Sequence, residues 1–153
     1  MKKIIFAFLI CCTTAAFAQK INFSGSWQLD TNKTAFGEAP KNIIPWNLTV
    51  AQQADKLVLT RVLLNEQLQA LPPKVETLAL DGTPFQQTAG DTQIVTTIHW
   101  LDDASLMLTR NGTISATETW TLEEDGKTLF IDRSVEQKSN GFKYNIKCYY
   151  TRQ

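Results

Sequence analysis

The strongest regularity in the chain is alternation. In FKYNIKCYYTR, residues 142–152, Phe142, Tyr144, Ile146, Cys148 and Tyr150 occupy every second place, with Lys143, Asn145, Lys147 and Thr151 between them. Successive side chains of a strand point to opposite faces, so a period of two predicts a strand with one buried face. From Trp46 onward, similar runs rich in Val, Ile, Thr, Leu and aromatics are separated by turn residues, among them Asp81-Gly82, Asn111-Gly112, Asp125-Gly126 and Asn140-Gly141. Such pairs favour tight hairpins, because both central residues of a type I′ turn need positive φ. Strands are predicted over 24–30, 46–53, 56–64, 75–81, 83–88, 92–101, 104–110, 114–122, 127–136 and 142–151, each antiparallel to the next.

Helix is scarce in this reading. In residues 31–45, TNKTAFGEAPKNIIP, Asp30 or Thr31 can cap one short turn that Gly37 ends, and Pro40 and Pro45 forbid a long helix. The stretch LLNEQLQA, 63–70, reads as a strand end and a loop, since Pro72-Pro73 follows at once. An antiparallel meander of about eight to ten strands hides its edges most completely by closing into a barrel. No long crossing connection follows residue 46, so the first strand is free to pair with the last. The fold class is therefore all-β, an up-and-down barrel.

Extending the alternation turns Trp27, Leu48, Leu59, Leu108, Trp120 and Ile131 inward, and with them Arg61, Arg110, Arg133 and Glu118. A dry core rarely admits four ionisable groups without partners. In one reading the lumen is partly wet, and its guanidinium groups hold the polar head of an otherwise apolar ligand. In the other, inward parity near a strand end merely lets a head group snorkel into water, as Arg110 beside Asn111-Gly112 would. Glu118 has no inward acidic companion on this map, although it can pair with an arginine.

FSGSWQLD at 23–30, KTAFG at 33–37, LTV at 48–50 and EDGKTLFIDRSV at 124–135 resemble small secreted bacterial proteins of the lipocalin-like, calycin-type barrel fold. That resemblance implies that Trp27 of the Gly-x-Trp motif packs across the closed end of the barrel, with an arginine after the last strand, here Arg152, against it. The classical cysteine pair and the flanking helix of lipocalins are missing. Residues 31–45 are too short for the two-helix lid of fatty-acid-binding proteins, and the Arg-x-Tyr that those proteins use for carboxylates does not occur near the terminus.

Length, charge and the N-terminus set the remaining bounds. One domain suits 153 residues with 43% hydrophobic composition. MKKIIFAFLICCTTAAFAQ shows a Lys2-Lys3 start, an apolar run and an Ala16-Phe17-Ala18 end, which together predict a signal peptide over 1–18 and a barrel domain over 19–153. Its short form looks bacterial and predicts a periplasmic or extracellular protein. Lipid attachment at Cys11 or Cys12 would want a small residue before the cysteine, where Ile10 or Cys11 stands. The apolar run is too short to span a membrane, and no later stretch is longer. Losing Lys2 and Lys3 takes the formal charge from zero to −2, which offers no basic footprint for nucleic acid. Cys148 is then the one remaining cysteine, which excludes an internal disulfide or a cysteine metal site and fits a small core residue.

Chemistry is harder to find. His99 is the lone histidine and stands in no nucleophile motif; Asp102 and Asp103 are explained by a turn. No phosphate-cradling loop or Rossmann pattern occurs, so neither an enzyme nor a cofactor is expected. An enzymatic reading would need convergent ionisable groups in a cavity. The sequence therefore predicts an exported barrel binding a small, mainly apolar ligand, with Trp100, Trp120 and Tyr144 as wall and Arg61, Arg110, Arg133 and Glu118 as polar groups. Phe36 and Trp46 are the apolar contacts of a flap formed by 31–45. The alternative is an envelope interaction module with a filled barrel, and a lumen of roughly 300 Å³ or more separates the two.

Overall fold

Hairpin follows hairpin through ten strands: β1 (Gly25–Leu29), β2 (Asn47–Gln52), β3 (Lys56–Val62), β4 (Lys74–Ala79), β5 (Phe85–Ala89), β6 (Thr92–Trp100), β7 (Ser105–Asn111), β8 (Ile114–Leu122), β9 (Thr128–Gln137) and β10 (Phe142–Arg152). The computed structural model describes residues 20–153, and the predicted signal segment at 1–18 lies outside them. One antiparallel sheet runs in the order β4-β3-β2-β1-β10-β9-β8-β7-β6-β5. The terminal strands zip together as the meander predicts, with Trp27 opposite Arg152 and Leu29 opposite Tyr150.

The sheet curls into a nearly closed barrel, but β4 and β5 are not joined by a ladder. Asp81-Gly82 makes the predicted turn, with Gly82 at φ 86°, yet the backbone of Asp81 bridges His99 on β6 instead of β5. Pro84, the residue before β5, has no N–H to give to β4. The two strands separate from there, leaving a seam in the wall.

Alternation governs burial throughout. On β3, Leu57, Leu59 and Arg61 are buried, and on β10 so are Ile146, Cys148 and Tyr150. Their neighbours on the outer face stay at least partly exposed.

Residues 31–45 form a strap across the end where β1 leaves the barrel. Asp30 caps its first turn: Oδ1 accepts from the Asn32 and Lys33 amides at 3.0 and 3.2 Å, and the Asp30 carbonyl accepts from Thr34 N. Ala35 then bridges Lys147 of β10, which ends that turn before Gly37. A single 3-10 turn, Lys41–Ile43, sits between Pro40 and Pro45 and is the only helical piece among the described residues. The strap's deepest apolar contact is Ile44, fully buried, whereas Phe36 and Trp46 are only half-buried against the core. Pro45 explains the shift, since it pins the strap's last turn to the barrel: its carbonyl accepts from Tyr150 Oη at 3.0 Å.

Candidate functional site

The barrel interior falls into three levels, set by register. The lowest is packed solid. Trp27, Trp120, Phe23 and Leu106 are fully buried there. Phe23 lies edge-on to Trp120, with ring centroids 6.3 Å apart, and tilted against Trp100 at 6.1 Å. Trp27 Nε1 donates to the Phe23 carbonyl at 3.0 Å, so its one polar atom is satisfied. From outside, the Arg152 guanidinium lies 4.4 Å from the Trp27 ring centre. It is held by donating to Gly126 O at 3.1 Å and Ser24 O at 2.8 Å. Gly25 makes this approach possible: its φ is 151°, and a Cβ there would stand 3.0 Å from Arg152 Nη1.

Above this floor lies a layer of charge. Glu118 on β8 is directly opposite Arg133 on β9. Its carboxylate is 3.6 Å from both Arg133 Nε and Arg61 Nη2, and it accepts from Trp120 Nε1 at 2.9 Å. Glu76 on β4 accepts from Arg61 Nη1 and Arg110 Nη2, each at 2.6 Å, and from Gln87 Nε2 of β5 at 2.9 Å. Arg110 Nε reaches Thr96 Oγ1 at 3.3 Å. Three guanidinium groups thus face two carboxylates, which leaves the interior with positive charge in excess.

Burial costs both partners their hydration. It pulls the Arg61 pKa down to about 10, with Arg110 adding to the shift and Glu118 and Glu76 opposing it. Burial also works against the Glu118 carboxylate, but Arg61, Arg133 and Arg110, with the Trp120 N–H, outweigh it and hold the pKa below the ordinary value. Arg61 Nη2 and Arg133 Nε make no hydrogen bond within the protein, so each meets Glu118 through charge alone.

Over the charged layer a cavity of about 350 Å³ opens at the strap end. Ile43 and Pro40 of the strap, Leu63, Ile94, Val135 and Tyr144 supply its apolar wall, and Arg110 and Arg133 its polar groups. Arg133 also donates through Nη1 to the Ile43 carbonyl at 3.0 Å, tying strap to barrel.

The residues singled out by alternation are therefore separated by depth. Arg110, Arg133 and Tyr144 line the cavity; Arg61 and Glu118 lie beneath it, around a void of about 10 Å³. Trp120 belongs to the packed floor. Trp100 sits at that same end, with Lys20 Nζ 4.7 Å over its ring, and neither tryptophan is a wall of the cavity. Parity fixes which face a side chain takes and says nothing of its height along the axis. Phe36 and Trp46 do not line the cavity either, where the strap is represented by Pro40, Asn42 and Ile43.

Glu76 corrects the map most. Glu118 does have an inward acidic companion, and the signal was present: Glu76, Leu78 and Leu80 share one parity, and all three are buried. Gln87 and Thr96, which complete the layer, gave no such signal, because each sits mid-strand beside another uncharged polar residue, Gln86 and Thr97, so polarity there marks neither face.

No protein-family model matches the chain. No curated protein matches it either. Solved structures do. A fatty acid-binding protein from brain tissue of Drosophila melanogaster, in a crystal structure without citrate inside, superposes with a TM-score of 0.57 at 17% identity, covering 85% of this chain and 99% of that one. A Schistosoma mansoni fatty acid binding protein in complex with arachidonic acid gives 0.57 at 14% identity, covering 86% and 96%. At such identities the likeness concerns the fold, a calycin-type barrel.

Proposed function

We propose that the protein binds a small molecule with an apolar body and a hydrogen-bond-accepting head, the body in the strap-end cavity and the head toward Arg110 and Arg133. The observation that carries this reading is the cavity itself: about 350 Å³, walled by aliphatic and aromatic side chains, with two guanidinium groups at its inner end. That volume exceeds what a filled barrel would leave and suits a small ligand. Arg110 and Arg133 are the least buried of the three arginines, with side chains 22% and 12% exposed against 5% for Arg61. They are the ones a head group reaches. Support also comes from the Schistosoma protein of the same fold, which holds arachidonic acid.

Ionisable groups do converge beneath the cavity, as an enzymatic reading would require. Their arrangement favours binding over proton transfer. Both carboxylates are spent on arginines, and Glu118, held ionised by Arg61, Arg133 and Arg110, is a poor proton acceptor.

Export belongs to this proposal on the strength of residues 1–18 alone. Native mass spectrometry of protein from its own source, followed by extraction, tests the whole reading. A co-purifying small amphiphile is expected, and Arg110→Gln with Arg133→Gln should weaken its rebinding about tenfold or more. Recovery of nothing, with no binding of apolar fluorescent probes, would sink it.

A further inference from the structure

The three uppermost rows of residues with inward parity cross β8, β9 and β10 in register. The lowest is Glu118–Arg133–Ile146, the next Ala116–Val135–Tyr144, and the last, at the rim, Ile114–Gln137–Phe142. Consecutive rows are two residues apart along a strand, about 7 Å. The middle row is cavity wall throughout, and Ile114 and Gln137 of the last row line it as well. Phe142 adjoins by packing against Tyr144, its ring tilted by 35° with centroids 5.4 Å apart.

The rim row differs from the others in one respect. Ile114 is 45% exposed and Phe142 48%, although their parity is that of the buried residues below them. The strap walls the cavity through Pro40, Asn42 and Ile43 but leaves these two side chains uncovered. Two apolar paths therefore lead up the wall from the Glu118–Arg133 row onto an open ledge, one through Ala116 to Ile114 and one through Val135 and Tyr144 to Phe142, with Gln137 between the two rim side chains.

We infer that Ile114 and Phe142 form a second subsite, which takes the distal end of a ligand longer than the cavity, so that the ligand class is one with an unbranched apolar tail emerging at the rim. This rests on the reading that the head lies toward Arg110 and Arg133. The occupant is argued from continuity: the ledge is the cavity wall extended by one row, aligned with the direction in which a tail leaves. Full burial of a methylene tightens binding about fourfold, and a surface that covers one side of it should give about half that free energy, or roughly twofold per methylene.

The experiment is calorimetric titration of the full chain with unbranched carboxylates from octanoate to octadecanoate, for the natural protein and for Ile114→Ser, Phe142→Ser and both together. Both side chains are half-exposed, so the variants keep their fold, which circular dichroism checks. Short members should bind the natural protein and Phe142→Ser equally, since Phe142 lies outside the cavity lining; Ile114 lines the cavity as well, so Ile114→Ser is read by the change of its slope with length. Long members should keep gaining in the natural protein and level off in the double variant, with a loss of about tenfold for the longest. A uniform loss at every length in Phe142→Ser, or parallel gains in all four, overturns the ledge while leaving the cavity reading intact. Failure of every carboxylate to bind the natural protein overturns both.

Discussion

Glu76 and Arg110 meet at 2.6 Å although they stand on opposite sides of the only neighbouring pair of strands, among the described residues, that no ladder joins. Glu76 belongs to β4, while Arg110, on β7, and Gln87, on β5, reach it from beyond the seam. One carboxylate thus replaces a ladder with side-chain bonds. It also neutralises Arg61, which is buried on the same side as itself. Replacing Glu76 by Ala should cost about 3–5 kcal/mol, because it leaves cations without their counter-charge in a dry interior. Urea unfolding of the two proteins measures this. A loss below about 1 kcal/mol would mean that the charges find water instead.

At the other end of the barrel, removal of the Trp27 ring should be more costly than removal of its cation. Trp27 fills the floor at 1% exposure, so Trp27→Ala is expected to lose about 3–5 kcal/mol. Arg152 covers it from an exposed position, and Arg152→Ala should lose about 1 kcal/mol. Gly25→Ala should be harmful for a separate reason, since it meets both an unfavourable φ and the guanidinium. Thermal melts of the three variants rank them.

Acid should loosen the charged layer. The Glu118 pKa lies below its ordinary value of 4.5 in the folded protein, so the unfolded chain takes up this proton first as pH falls. The resulting stabilisation is complete above the ordinary value and disappears on passing down through the folded one. Urea midpoints of the natural protein and Glu118→Gln, taken from pH 7 to pH 3, should therefore converge as pH falls. A gap that stays constant would show that Glu118 contributes through shape and hydrogen bonding alone.

Cys148 should be inert while the protein is folded. Burial pushes its pKa up to about 12, and its side chain is 1% exposed. Only the thiolate is nucleophilic. Iodoacetamide at pH 8, with the label located by mass spectrometry, should leave Cys148 unmodified in native protein and alkylate it in denaturant. Rapid native labelling would show that the barrel opens often.

The sequence carried the strands because alternation and turn residues are local. Asp125-Gly126 and Asn140-Gly141 mark their hairpins directly, and closure of β1 on β10 follows once no crossing connection intervenes. The seam was not read from the sequence, since Asp81-Gly82 is a sound turn; Pro84 was its one local sign, and the bridge from Asp81 to His99 on a third strand had none. The site was legible by face alone. Arg61, Arg110, Arg133 and Glu118 all turn inward as the alternation requires, but which of them a ligand meets depends on the stagger of strands around the barrel. Trp100 and Arg110 illustrate the difference: both lie on inward positions, one at the floor and the other at the inner end of the cavity.

Nine ladders hold the ten strands, and the missing tenth tells where the molecule first comes apart. Every other boundary must break a row of backbone bonds together, whereas across the gap between β4 and β5 the wall is fastened by the three side-chain bonds that one glutamate accepts from Gln87 and Arg110. Fraying should start there and travel outward in both directions, with the amides of β4 and β5 exchanging their hydrogens long before those of β9 and β10. The same weak line exposes two strand edges whenever it parts, which makes it the place where two copies of the chain would first adhere under stress.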